Sequence, residues 1–402
     1  MHILILTNRV PYPLKDGGSL AMHYFLEGYI KAGVKVSLLA MNTSKHFVSK
    51  DKLPAIYNEL SHFETVHVNN EVNSLAAFIN LFQINQSYNV KRFDNVEYHK
   101  KLKELLKKET FDFIQLEGLY LTPYVNTIRL HSKAKIILRS HNIEYKIWEK
   151  LYLQSNNILK KQYLKLLTQR LKKYEISHIN DYDIILPISD VDKSFYLSKN
   201  VSVPLYTQTF GIEIKNNAQL ERNFDKNNIK LYHIGAMDWL PNLESITWLI
   251  DEIMPEIYHS HPHVKLYLAG RKMPAALMER TYNNIDIIGE VEDAYEFEKD
   301  KDILLVPLLS GGGVRIKIFQ GMAMGKAVVT TPIGVEGIDV SHKEHLLVAD
   351  DKKEFVEYIR YLLDHPKEIV RLGKNAHEII TQQYDRKHQI AALLEFLNTH
   401  RN

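Results

Sequence analysis

The strongest constraint on this chain is a rhythm that runs from end to end: short apolar runs alternate with longer stretches of helical periodicity. A parallel strand is buried on both faces, so it reads as an unbroken apolar run, and it needs a helical crossover to reach its neighbour. The alternation therefore predicts parallel α/β architecture. In the first half the runs place strands at 2–6, 35–40, 65–67, 111–116, 135–138 and 184–188, with helices such as 19–32 and 97–108 between them. The second half restarts the pattern at 230–234, 264–269, 285–288, 303–307, 327–330 and 346–348. A polar gap, 216–228, separates the two series. At 402 residues the chain exceeds one ordinary core. Two domains are expected, 1–205 and 229–383, joined by a linker at 206–228. A last amphipathic helix, 384–402, has no strand after it and could cap either domain.

Composition excludes several classes. With no cysteine there are no disulfides and no thiolate metal sites. The first residues, Met1-His-Ile-Leu-Ile-Leu6, lack the charged start and long apolar stretch of a signal peptide and read as a buried strand. No run of about 18 apolar residues predicts a transmembrane helix, and a cytoplasmic protein is expected. A net charge of +3 is too weak to imply nucleic acid. The segment 146–173 is helical and basic, with Lys150, Lys160, Lys161, Lys165, Arg170, Lys172 and Lys173 beside a broadly helical apolar series. A membrane-surface helix has this composition, which would add a peripheral membrane contact through 146–173. So does a solvated helix packed on a sheet, and that reading is favoured.

The richest candidate site is Ser310-Gly-Gly-Gly-Val-Arg-Ile-Lys-Ile-Phe-Gln-Gly-Met-Ala-Met-Gly325. It follows an apolar strand and opens a helix, whose first N–H groups lack intrahelical partners and favour an anion. Gly311, Gly312 and Gly313 permit close backbone approach, with Val314 beside them, and Arg315 and Lys317 add two charges. Gly313, Lys317 and Gln320 would share one helix face. Cations and a neutral amide beside a glycine bed suit a diphosphate and neighbouring sugar hydroxyls, so a nucleotide-sugar site is the leading reading.

Other candidates fall at strand ends, where parallel sheets place ligands. Asn8 follows the first strand, and Gly17 and Gly18 open the next helix. This is not the G-x-G-x-x-G fingerprint, and the second strand ends in Asn42 rather than a ribose-binding acid, which disfavours a nicotinamide dehydrogenase. His141 follows the fifth strand in Arg139-Ser-His-Asn-Ile-Glu144 and could bind a polar ligand or act on a proton. Gly235, with Asp238 and Asn242 beyond it, follows the first strand of the second half. Gly289 and Val291 end another and could face a nucleotide base. The Asp181–Asp183 pair precedes a strand and Asp190–Asp192 reads as a helix start, so no metal is expected.

Taken together, the chain resembles the GT-B glycosyltransferases of the large retaining family 4. The likeness is strongest from Val306-Pro307 to Thr330-Thr-Pro-Ile-Gly-Val-Glu336, and extends to Gly17-Gly18, His-Asn-Ile-Glu144 and Gly211-Ile-Glu213. The resemblance implies two Rossmann-like domains with parallel sheets facing across a cleft, and a last helix returning to the N-terminal domain. It implies donor binding mainly on the C-terminal domain, through Gly235, Gly289, Val291, Gly311–Val314 and Gln320. Acceptor or phosphate contacts would fall to Asn8, Gly17 and Gly18, and catalysis to Arg315, Lys317 and His141. The substrates implied are a nucleotide-sugar donor and a saccharide or lipid-linked saccharide acceptor, with no cofactor. Two departures stand out. The family's paired glutamates fall here on Gly312 and Gln320, and Met237-Asp-Trp-Leu-Pro241 lacks the usual diphosphate-binding cations. An epimerase or hydrolase on the same fold would convert the donor without acceptor, and a non-catalytic binder would never turn over.

Overall fold

The computed structural model describes residues 1–14, 17–71, 80, 87–214, 220, 228–311 and 314–401. The chain forms two compact units, Met1–Gly211 with Lys387–Asn402, and Ile212–Arg386.

The first unit is built on strands β1 (His2–Thr7), β2 (Lys35–Thr43), β3 (His62–Val68), β4 (Phe113–Glu117), β5 (Lys135–Ser140) and β6 (Ile184–Pro187). They pair in the order β3-β2-β1-β4-β5-β6, all parallel. Crossover helices α1 (Gly17–Lys31) and α2 (Val96–Lys108) cover the faces. On α2, Tyr98, Leu102, Leu105 and Leu106 are buried at helical spacing, and the Asn95 side chain caps the first turn by accepting from the Tyr98 amide at 3.0 Å.

The segment expected as one basic helix is two: α3 (Glu144–Gln154) and α4 (Ile158–Ser177). The break has a local cause, since the Asn157 side chain accepts from the Lys160 amide and starts a new helix. The two helices pack on each other, and the α4 carboxylate Glu175 caps α3 by accepting from the amides of Glu144 and Tyr145 at 2.9 and 3.0 Å. Helix α5 (Asp190–Leu197) begins at Ser189, whose hydroxyl accepts from the Asp192 amide, so Asp190 and Asp192 occupy a helix first turn. Asp183 instead binds Arg129 and the Ile136 amide.

The second unit repeats the topology with β7 (Lys230–Ile234), β8 (Lys265–Ala269), β9 (Ile285–Gly289), β10 (Ile303–Val306), β11 (Ala327–Thr330) and β12 (Leu347–Val348), ordered β12-β11-β10-β7-β8-β9. Helices α6 (Leu240–Trp248) and α7 (Ile316–Ala323) follow β7 and β10, and α8 (Lys352–Asp364) and α9 (Pro366–Tyr384) close the unit. The final helix α10 (Arg386–Thr399) buries Ile390, Leu393 and Leu397 in the same cluster as Ile3, Phe25 and Ile184 of the first unit.

Each sheet thus reverses strand order once, between β1 and β4 and between β7 and β10. At such a point two crossovers leave in opposite directions, opening a crevice at the carboxyl ends of the strands.

Candidate active site

In the first unit a cavity of about 250 Å³ opens at that reversal, lined by Asn8 after β1, Gly18 on α1, Glu117 and Gly118 ending β4, and His141 and Glu144 after β5. Its floor is a buried polar network. Strand register sets Glu117 beside Arg139, and the guanidinium donates to Glu117 Oε2 at 2.8 Å. Glu117 Oε2 also lies 2.6 Å from His141 Nε2, and Oε1 accepts from Gln115 Nε2. Burial alone would raise the Glu117 carboxyl, but Arg139, His141 and Gln115 outweigh it and hold it at about 2.

An ionised Glu117 only accepts, so His141 must donate from Nε2 and carry its lone pair on Nδ1. Burial lowers the His141 pKa, and because Arg139 already neutralises Glu117, the carboxylate's pull does not reverse this. The site therefore holds a neutral imidazole that can accept a hydrogen bond from a hydroxyl. Glu144, on the same wall, accepts from Tyr120 Oη at 2.7 Å, and burial raises its pKa. The Thr43 hydroxyl, fully buried, lines the cavity with no hydrogen-bond partner among the described residues.

In the second unit the equivalent reversal gathers Gly235 after β7 and Gly311 after β10. Lys317, on the first turn of α7, donates to Asn242 Oδ1 at 2.8 Å and lies 3.3 Å from His233 Nε2. Both partners are fixed from behind. Asn242 Nδ2 donates to the Ala236 carbonyl at 2.9 Å, and His233 Nδ1 donates to the Leu305 carbonyl at 2.7 Å. Among the described residues no carboxylate pairs with the Lys317 ammonium. Burial and the nearby charge of Arg315 bring its pKa down to about 7, against a smaller opposing pull from Glu298. Arg315 is 5% exposed and stacks over Trp239 at 5.1 Å. It sits just before α7 rather than on its first helical turn.

Two glycines here are tightly enclosed, one by side chains and one by main chain. A Cβ on Gly235 would lie 2.7 Å from both Asn242 Nδ2 and Lys317 Nζ. One on Gly270, after β8, would lie 1.7 Å from the Gly235 carbonyl oxygen. The backbones thus meet edge to edge, and Gly270 N donates on to the Gly289 carbonyl at 2.7 Å.

The structure therefore joins Asn8, Gly18 and His141 in one cavity, with Gly17 at the start of the same helix α1. It joins Gly235, Gly311, Arg315 and Lys317 in another group. Val314 lies against Gly337. Gly289 reaches the group through the Gly270 backbone, while Val291 and Gln320 are partly buried, and among the described residues neither side chain bonds either cation. Gly312 and Gly313 lie outside the described residues, and with them the expected face shared by Gly313 and Lys317. Sequence reasoning missed Glu117, whose local signal is an acid closing an apolar run before Gly118, a residue the structure holds at a φ of 100°. It also missed Arg271, which pairs with Asp238 at 3.2 Å and brings a cation to the turn after β7 from the next strand. Among the described residues no group of three or more His, Cys, Asp or Glu could hold a metal. None of their helices is long and apolar enough to cross a membrane.

Residues 228–365 match the family model described as glycosyl transferases group 1. A Klebsiella pneumoniae protein described as an uncharacterized 44.6 kDa protein in the cps region is 24% identical over 409 residues, covering 98% of this chain and 99% of that one. Among solved structures, Anabaena HepE in complex with UDP superposes with a TM-score of 0.64 at 13% identity, covering 99% of this chain and all of that one (100%). Sucrose-phosphate synthase from Thermosynechococcus elongatus gives 0.69 at 14% identity, covering 99% of each chain. The fold is therefore that of GT-B glycosyltransferase structures, and most of the second unit is similar to glycosyl transferases group 1.

Proposed function

We propose that the protein is a family 4 glycosyltransferase that moves a sugar from a nucleoside-diphosphate sugar to an acceptor hydroxyl with retention at the anomeric carbon. The observation that carries this reading is Lys317: a desolvated ammonium at a strand-order reversal, held by two neutral acceptors and with no carboxylate partner among the described residues. A diphosphate would supply the missing charge. Arg315 and the positive end of the α7 dipole would add to that grip, and all of them would bind most tightly as charge builds on the leaving group. HepE structures contain UDP or UDP-glucose, so a uridine donor is the first to test. The cps-region relative supports a role in polysaccharide assembly.

In the proposed step the acceptor oxygen bonds to the anomeric carbon on the face that the diphosphate leaves. The carbon–oxygen bond to phosphate breaks, and the hydroxyl proton passes to the departing phosphate oxygen. No strong protein base is required. His141, neutral and with Nδ1 as acceptor, would orient a hydroxyl in the first unit's cavity, and Glu117 would hold the ring in that tautomer. Two cations can carry the leaving charge, so turnover should survive chelation of divalent metals.

Thermal-shift binding of UDP, GDP, ADP and CDP and their sugar conjugates tests the donor site. One nucleotide should stabilise the wild type and not Lys317→Ala. Arg315→Ala should lower turnover by about two orders of magnitude or more, as removal of an oxyanion-type donor does. No shift with any nucleotide would remove the proposal's support, and binding without turnover would leave only a nucleotide-sugar binder.

A further inference from the structure

The α3–α4 hairpin is anchored at its base and bare at its tip. Near the base Tyr145, Leu164, Leu167 and Leu171 are buried and Glu175 ties the two helices together. Toward the connection burial stops: Leu151, Leu153, Ile158 and Leu159 are 46, 58, 77 and 83% exposed, and nothing in α4 before Leu164 is buried. Across 150–165 the chain carries Lys150, Lys160, Lys161 and Lys165 and no carboxylate. Exposed large aliphatic side chains on both sides of one turn, interspersed with lysines, are complementary to an interface that is apolar within and anionic at its surface.

We propose that this tip docks on anionic lipid headgroups, with the four aliphatic side chains entering the interface. A second copy of the chain is a poorer occupant, because a two-fold contact through the tip would set lysines against lysines. The placement has a functional corollary that rests on the acceptor reading above. Helix α3 starts at Glu144, on the cavity wall, and its eleven residues span roughly 16 Å. A docked tip would hold the cavity near the membrane surface, where a lipid-linked saccharide is presented.

The test is co-sedimentation of the full chain with vesicles of phosphatidylcholine alone and of phosphatidylcholine with about one-third phosphatidylglycerol. Binding is expected to the anionic vesicles only and should fall steeply with salt. Ile158→Ser/Leu159→Ser and Lys160→Glu/Lys165→Glu should each lower the partition coefficient about tenfold or more. Melting temperature and nucleotide binding should stay unchanged, because the replaced side chains are solvent-facing. Equal binding to both vesicles, no binding to either, or full binding by both variants would overturn the proposal. So would self-association of the wild type that both variants abolish, which would make the tip an interface between copies. Loss of nucleotide binding with vesicle binding intact would instead strike the donor reading.

Discussion

Lys317 should make donor binding depend on pH in a calculable way. In the free protein its ammonium titrates at about 7, well below the ordinary 10.5. A diphosphate placed against it would return the pKa toward the ordinary value, so above neutrality binding must take up close to one proton. Between about pH 6 and about pH 8.5 the charged fraction of the free protein falls from nearly all to about one in thirty. Affinity for a nucleotide sugar should then weaken about thirtyfold, or ~2 kcal/mol. Titration calorimetry of a UDP sugar across this range, on wild type and Lys317→Met, isolates the effect, since the variant carries every other titration, the nucleotide's included. The wild-type curve should bend near neutrality relative to the variant's, with proton uptake visible as a dependence of heat on buffer. Parallel profiles for the two proteins, or affinity that strengthens as pH rises, would refute the argument.

The same depressed pKa makes the unfolded chain hold more protons at this position between about pH 7 and 10.5. Stability of the free protein should therefore rise with pH there, and that slope should vanish in Lys317→Met when melting is followed by calorimetry. Glu117→Gln should cost about 3 kcal/mol in denaturant unfolding, because it leaves Arg139 buried without its counter-charge, and Glu117→Gln/Arg139→Met should recover part of that loss. Glu117 titrates at about 2 in the fold, so its contribution is complete above the ordinary carboxylate range of about 4.5 and is lost as pH falls toward 2. Gly235→Ala should abolish nucleotide-induced stabilisation, since its methyl occupies the space between Asn242 and Lys317.

The two sheets were legible because twelve short apolar runs are long enough to cross a core and too short to be helices there. Their order follows from crossover rules that act on any such series. Arg315 and Lys317 could be read because glycines, strand end and cations are contiguous. Their environment could not, since Lys317's partners Asn242 and His233 lie 75 and 84 residues away in sequence. Glu117 was invisible for the same reason: its meaning depends on register against Arg139 on the neighbouring strand. The hairpin break was hidden differently. Apolar spacing continues through 151–164, and only the Asn156-Asn157 pair marks the point where capping chemistry overrides periodicity.

The edge-to-edge contact of Gly235 and Gly270 bears on how such a protein can change over generations. Any codon change that alters either residue adds at least a β-carbon, and at Gly270 that atom would fall on the Gly235 carbonyl oxygen. Gly270 therefore has no tolerated first step, and no second replacement relieves it, because the obstacle there is main chain; at Gly235 the obstacles are the Asn242 and Lys317 side chains, so a replacement there displaces those two groups instead. A lineage adopting a new donor must keep Gly270. Its variation is steered to side chains such as Trp239, which is 36% exposed at the turn after β7 and stacked under Arg315.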